Sequence, residues 1–227
     1  MDSARDQAAR CNNIFCVIQR YDSSRRGWLL LSLAGYAYGE ALLVRCLPLL
    51  AATVQLIAPQ YTPKVVINSR DGEANLVLDL RVRQAIHLSE DLIIPVGQPV
   101  PASANVVHVL VPLVLFFCVV CAWPARDWRE QALALAFALP LAAGVLALTA
   151  PFQLVGLIEL AVQQAAASQH LRLPVPLTLS WMVFMEGGGR WVLPILAGLL
   201  CGRAARQIRG DEQKILRSAM APEGRRV

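Results

Sequence analysis

Four ionisable side chains lie inside long apolar runs, and they are the residues best placed to do chemistry. Glu40 and Arg45 interrupt the run from Trp28 to Ala58, and Glu186 and Arg190 interrupt the run from Leu177 to Gly202. In hydrocarbon an ionised side chain costs at least about 2.5 kcal/mol unless it is paired or hydrated, so each of the four needs a partner. Counted at about 1.5 Å per residue from the arginine-bearing ends, Glu40 falls roughly 18 Å deep, Arg190 roughly 20 Å, and Arg45 and Glu186 both near 25 Å. Opposite charges thus share depths. If the two helices are antiparallel neighbours, Glu40 can meet Arg190 and Arg45 can meet Glu186. Gly35 and Gly39 on one run, and Gly187, Gly188 and Gly189 on the other, remove bulk beside these charges and permit close backbone approach. Against that pairing, Glu40 and Arg45 point about 140° apart on a regular helix. Glu186 and Arg190, four residues apart, share a face and can pair with each other. The cluster either fixes helix packing or lines a polar cavity for a charged group. Packing is favoured, because no catalytic nucleophile attaches to it.

Other candidate chemistry is sparse. Cys118 and Cys121 form a C-x-x-C inside an unbroken apolar helix, with no second pair and no βαβ context for a redox or zinc site. The six cysteines, Cys11, Cys16, Cys46, Cys118, Cys121 and Cys201, lack the dense spacing of a disulfide scaffold. His87, His108 and His170 fall on or near one side of the membrane and are weak metal candidates; ordinary polar roles suit three isolated histidines better. The chain has no G-x-S-x-G elbow, Walker loop, H-E-x-x-H or G-x-G-x-x-G, so hydrolase, nucleotide and dinucleotide classes find no support. No catalytic residue and no cofactor is assigned.

The elements that position these residues follow from composition. Of 227 residues, 56% are hydrophobic and 16% charged, too apolar for a soluble domain of this size. The hydrophobic residues gather into four runs of membrane length: 28–58, 106–123, 132–150 and 177–202. The first exceeds the ~20 residues a hydrocarbon core requires, so it tilts, bends near Pro48 or projects beyond the lipid. It lacks the cleavage pattern of a signal peptide and is expected to stay as an uncleaved anchor. Arginines set the orientation. Arg5, Arg10, Arg20, Arg25 and Arg26 precede the first run within segment 1–27; Arg126 and Arg129 lie in loop 124–131; Arg203, Arg206, Arg209, Lys214 and Arg217 lie in tail 203–227. By the positive-inside rule these segments are cytoplasmic, and 59–105 and 151–176 face outward. The net charge of +5 therefore reports topology and attraction to anionic lipid, not nucleic-acid binding.

Outer segment 59–105 changes period. Leu76, Leu78, Leu80 and Val82 alternate with Val77, Asp79, Arg81 and Arg83 as in a half-buried strand, with Lys64–Asn68 as partner, Asp71-Gly72 as turn and Leu92–Ile94 as a candidate third strand. A linker around Pro95, Pro99 and Pro101 follows. Segment 151–176 opens amphipathically, with Gly156, Glu159 and Gln163 on one side; it either lies on the outer membrane surface or continues the third helix outward. The fold class expected is membrane all-α: a four-helix transmembrane bundle with a small extracytoplasmic β-hairpin insertion between helices 1 and 2.

This order of parts, with the amphipathic piece Pro151-Phe152-Gln153-Leu154-Val155-Gly156 and a last helix containing Trp191-Val192-Leu193-Pro194, resembles the exosortase-associated membrane proteins, in particular those accompanying exosortase H. The likeness spans Trp28 to Cys201. It implies an accessory in the bacterial inner membrane, partnered by a sorting transpeptidase or export component that processes proteins with a C-terminal anchor. The Cys, Arg and His set of exosortases themselves has no counterpart here, so no catalytic role passes to Cys118, Cys121 or His108. From another class, a small intramembrane enzyme or transporter subunit built on Glu186 and Arg190 is the alternative.

Overall fold

The computed structural model describes Leu33, Gly35 and residues 37–70, 73–87 and 93–220, the side chains of 70, 73, 86, 87 and 215–220 excepted. The basic segment 1–27, the start of the first run at Trp28, the turn Asp71-Gly72 and Leu92 of the candidate third strand lie outside the described residues.

Helix α1 (Ala37–Ile57) buries Leu43, Leu50 and Val54 along one stripe. It ends where Pro59 disfavours a helical conformation at Ala58, and Tyr61 N–H closes the turn on the Ala58 carbonyl at 3.1 Å. Strand β1 (Tyr61–Arg70) then pairs antiparallel with β2 (Glu73–Val82), in a register from Tyr61↔Val82 to Arg70↔Glu73. Short strands β3 (Ile86–His87) and β4 (Ile93–Ile94) pair with each other, and β5 (Pro99–Asn105) returns along β2 to complete a sheet of order β1-β2-β5. The stretch expected to be a proline linker is thus largely a strand. Proline cannot donate to a ladder, but on an edge strand its nitrogen can face away, so Pro99 and Pro101 are compatible with pairing to Arg81 and Asp79.

One face of the sheet is apolar throughout. Leu76, Leu78, Leu80 and Val82 are at most 1% exposed, and Val65, Ile67, Val100 and Ala104 flank them on the same side. What covers that face follows from lengths. Tyr61 sits beside the end of α1, and eight residues later the Ser69 hydroxyl donates to Glu40 Oε1 at 3.1 Å. Eight strand residues span about 26 Å, and the 17 residues from Glu40 to Ile57 span about 26 Å of helix. The strand therefore runs back along the helix at its full length, and α1 from Glu40 to Ile57 serves as the cover of the sheet.

Asn105 ends β5 and caps α2 (Val106–Ala122), its side chain accepting from Val107 N–H at 2.9 Å. Asp127 caps α3 (Trp128–Ser168) in the same way, accepting from Glu130 N–H at 2.7 Å. At 41 residues α3 is about 62 Å long, twice a hydrocarbon core. Of the two arrangements open for the segment after Pro151, the chain adopts continuation of the third helix. Its far end packs on β5. Beyond His170, at φ 60°, an extended stretch leads to α4 (Leu177–Phe184), a π-helical turn (Met185–Gly189) and α5 (Arg190–Met220).

Small residues set the helix spacing. A β-carbon at Gly39 would collide with Leu110, one at Gly202 with Trp123, and one at Gly198 would lie 2.7 Å from Val119. These glycines seat α1 and α5 on α2. Ala134, Ala138 and Ala142 form a buried small-residue stripe on α3, which packs on both α2 and α5. Three helical stretches, Ala37–Ile57, Trp128–Ser168 and Leu177–Lys214, are long and apolar enough to cross a membrane, and α2 is a shorter apolar helix of 17 residues.

Candidate functional site

Three helices and the π turn bring four polar side chains together. His108 comes from the first turn of α2, Gln153 from α3 just after Pro151, Glu186 from the π turn and Arg190 from the start of α5. Glu186 Oε1 accepts from Gln153 Nε2 at 3.0 Å and stands 3.8 Å from His108 Nε2, while Oε2 faces Arg190 Nη1 at 3.5 Å. Arg190 also donates to the His108 imidazole, which must offer a lone pair in return. Gly188 adopts φ 126°, a conformation that glycine enters without steric penalty, and so permits the break that turns Glu186 toward α2 and α3. His108 and Glu186 are 42% and 44% exposed, and the inner Nε of Arg190 is buried without a partner. Such a group can hold a charged or strongly polar moiety.

The other expected site residues lie elsewhere. Glu40 is held by Ser69 of β1, and Arg45 lines a groove of about 450 Å³ between α1 and α2 beside Tyr38 and Phe117. Neither pairs with Glu186 or Arg190. The physical reason is that Gly35 and Gly39 face Val114 and Leu110 of α2, which makes α2 the neighbour of α1 at this height. Because Gly39 abuts Leu110, only four residues inside the α2 terminus, Arg45 lies about 3 Å beyond the first residue of α2. That level is the sheet-side end of the helical body and not its middle. Gly189 packs under Phe184, while Gly187 and Gly188 have open space beside them. Sequence reasoning missed His108 and Gln153 as members of the Glu186 group; each was visible only as a polar residue in an otherwise apolar turn.

Among the described residues no group of three or more His, Cys, Asp or Glu could hold a metal ion. His108 belongs to the Glu186 group. His170 lies past the end of α3, 17 residues or about 25 Å along the chain direction from Gln153. His87 sits in β3, and its side chain is outside the described residues. Cys46, Cys118, Cys121 and Cys201 are free thiols.

At the opposite end of the helical body a second set of charges ties the loop between α2 and α3 to α5. Glu130, 2% exposed, accepts from Arg206 Nε at 3.0 Å, from Trp123 Nε1 at 3.3 Å and from Arg126 N–H at 2.9 Å. Arg206 also donates to the Pro124 carbonyl at 2.7 Å and stacks 4.9 Å over Trp123, and Arg209 meets Asp127 at 2.8 Å. Burial opposes the charged form of Glu130, but the donors from Arg126, Arg206 and Trp123 outweigh it and hold the carboxyl below its usual range. The Arg209 guanidinium, with the Glu130 amide, lowers Asp127 likewise.

Fold and composition define this chain as a membrane protein with an attached antiparallel sheet. Comparison with protein-family models, with curated proteins and with solved structures found no match in any of the three.

Proposed function

We propose that this protein is a polytopic accessory of the bacterial inner membrane that assists a protein-sorting, exosortase-like system through contacts made by its helices and its outer unit. In this reading the first apolar run, 28–58, together with α2, α3 and α4–α5 supplies four crossings of one bundle, with α1 as the part of that run that reaches the sheet; both termini are cytoplasmic, and the sheet stands on the outer surface. The observation that carries the reading is the seating of the sheet. Its apolar face has α1 for a cover and β5 packs on α3, so the polar face bearing Lys64, Asp79 and Arg81 is held in a fixed position relative to the helices. A rigid platform suits a protein that positions a partner. The likeness to exosortase-associated proteins in layout gives the partner class: a sorting transpeptidase or an export component.

The test is a crosslinking pulldown from native membranes with mass spectrometry. Stoichiometric recovery of a sorting or export component supports the accessory role; recovery of the chain alone or as a homo-oligomer removes it.

One observation favours a second reading, a small intramembrane enzyme or transporter subunit. The His108, Gln153, Glu186 and Arg190 group is open on one side and leaves Arg190 Nε without a partner. Glu186→Gln separates the two. Loss of an activity in a folded, inserted protein supports a site, and loss of the protein itself supports a packing element.

A further inference from the structure

A positively charged concave surface lies at the end of the helical body away from the sheet. Trp123, Arg126, Arg203, Arg206, Gly210 and Lys214 surround a basin of about 960 Å³ between the α2–α3 loop and α5. Asp211, on the rim, meets Lys214 at 3.3 Å, and Glu130 neutralises Arg206 from behind. Among the described residues Arg126 and Arg203 have no carboxylate partner, although both side chains are exposed. Two cationic groups thus remain uncompensated. Arg206 is already oriented by Glu130, the Pro124 carbonyl and the Trp123 face, and its Nη1 is left without a partner among the described residues. The floor is open at Gly210, where a β-carbon would meet nothing within 4 Å.

The surroundings specify what would enter. Trp123 follows the last residue of the apolar α2, and Leu196, Leu199 and Leu200 stand exposed on α5 within two turns of Arg203. A guanidinium-lined basin opening onto an exposed leucine surface offers a seat for a phosphate and a track for an acyl chain. Arginine suits phosphate because its planar fork donates two hydrogen bonds to one group.

We propose that this basin binds the phosphate group of an anionic phospholipid, with Arg126 and Arg203 as the free donors and Arg206 as the prepositioned one. The proposal needs α2 and α5 to cross the bilayer and is indifferent to the accessory role. Arginines that serve topology alone would attract anionic lipid diffusely and retain none.

The full chain would be purified in micelles holding equal amounts of phosphatidylglycerol and phosphatidylcholine, and its retained lipids counted by native mass spectrometry. Each arginine at an anionic surface is worth about fivefold, so R126Q/R203Q is expected to lower the ratio of retained phosphatidylglycerol to phosphatidylcholine by about thirtyfold. R126K/R203K should keep most of the preference, and K64Q/R81Q, with the same charge loss on the sheet, should keep all of it. A second arm adds inorganic phosphate. Displacement of the lipid at millimolar phosphate assigns the site to free phosphate esters, and retention assigns it to the lipid headgroup. Equal ratios for wild type and R126Q/R203Q overturn the proposal, as does a wild type without preference. If R126Q/R203Q fails to fold, R203Q alone is read against the same controls, with about fivefold expected.

Discussion

Replacing Glu130 by glutamine should loosen the end of the helical body where the α2–α3 loop meets α5. The carboxylate accepts three donors, from Arg206, Trp123 and the Arg126 amide, while only 2% exposed. Glutamine offers one acceptor oxygen in place of two. Its amide nitrogen must then face either the Arg126 N–H or the Arg206 guanidinium, which sets donor against donor. A hydrogen bond to a charged group contributes about 1.5–3 kcal/mol, and an orphaned buried donor costs about 1–3 kcal/mol. Arg206 is 38% exposed, so water recovers part of the loss. A net cost of about 2–3 kcal/mol follows, which for a chain of this length lowers the melting temperature by roughly 4–12 °C.

Acid supplies an independent check. Glu130 and Asp127 are both held below their usual values in the folded protein. Their contribution is therefore complete above the unfolded carboxyl values, near about pH 4, and is lost as pH falls through the folded values. Thermal unfolding followed by tryptophan fluorescence in detergent, from neutral pH down to about pH 3, would show wild type losing stability below about pH 4 and Glu130→Gln losing less over the same interval. A variant with the wild-type melting temperature and the wild-type acid slope would refute the hydrogen-bond argument.

Substituting Gly198 by leucine should displace α5 from α2, because a β-carbon there already lies 2.7 Å from Val119 and 3.3 Å from the Phe116 carbonyl; overpacking of about 1–3 kcal/mol or more would appear as a lower melting temperature. Leu78→Ala removes a fully buried side chain from the sheet face and is expected to cost about 2–5 kcal/mol, read as faster proteolysis within the sheet. Glu186→Gln should leave insertion intact and stability within about 1 kcal/mol of wild type, read from the melting temperature, since the carboxylate is 44% exposed; a larger loss would assign it to packing. Single cysteines at Lys64 and Lys214, in a chain freed of its own thiols, should react with an impermeant maleimide from opposite faces, and labelling of both from one face would remove the proposed topology.

Three long apolar helices were legible because hydrocarbon length is a one-dimensional property: an apolar run either reaches about 20 residues or it does not, and α2, at 17 residues, falls short of it. The β1–β2 hairpin was legible for a similar reason, since alternation at Leu76, Leu78 and Leu80 is written along one strand. Strand β5 was hidden by Pro99 and Pro101, which read as linker until an edge position makes proline acceptable. The membership of His108 and Gln153 in the Glu186 group was hidden more deeply. It depends on which helices are neighbours, and that is decided by glycine contacts such as Gly39 on Leu110 and Gly198 on Val119, which no single run contains.

The same contacts explain why chain depth alone did not pair Glu40 with Arg190. Their equal depth is a coordinate along the helix axes; the coordinate around α2 separates them, with α1 and α5 seated on it through different glycines. Once α1 from Glu40 onward is seen to cover the sheet, Glu40 and Arg45 no longer require burial in mid-bilayer, where each would need a paired charge. Glu40 instead ties the far end of β1 to its helix through Ser69, and the hairpin is fastened at both ends: by the Ala58–Tyr61 turn at one and by this hydrogen bond at the other. A charge that read as a membrane site from sequence thereby becomes part of what holds the sheet, and the group around Glu186 is left as an open polar cluster at the sheet-side end of the helices.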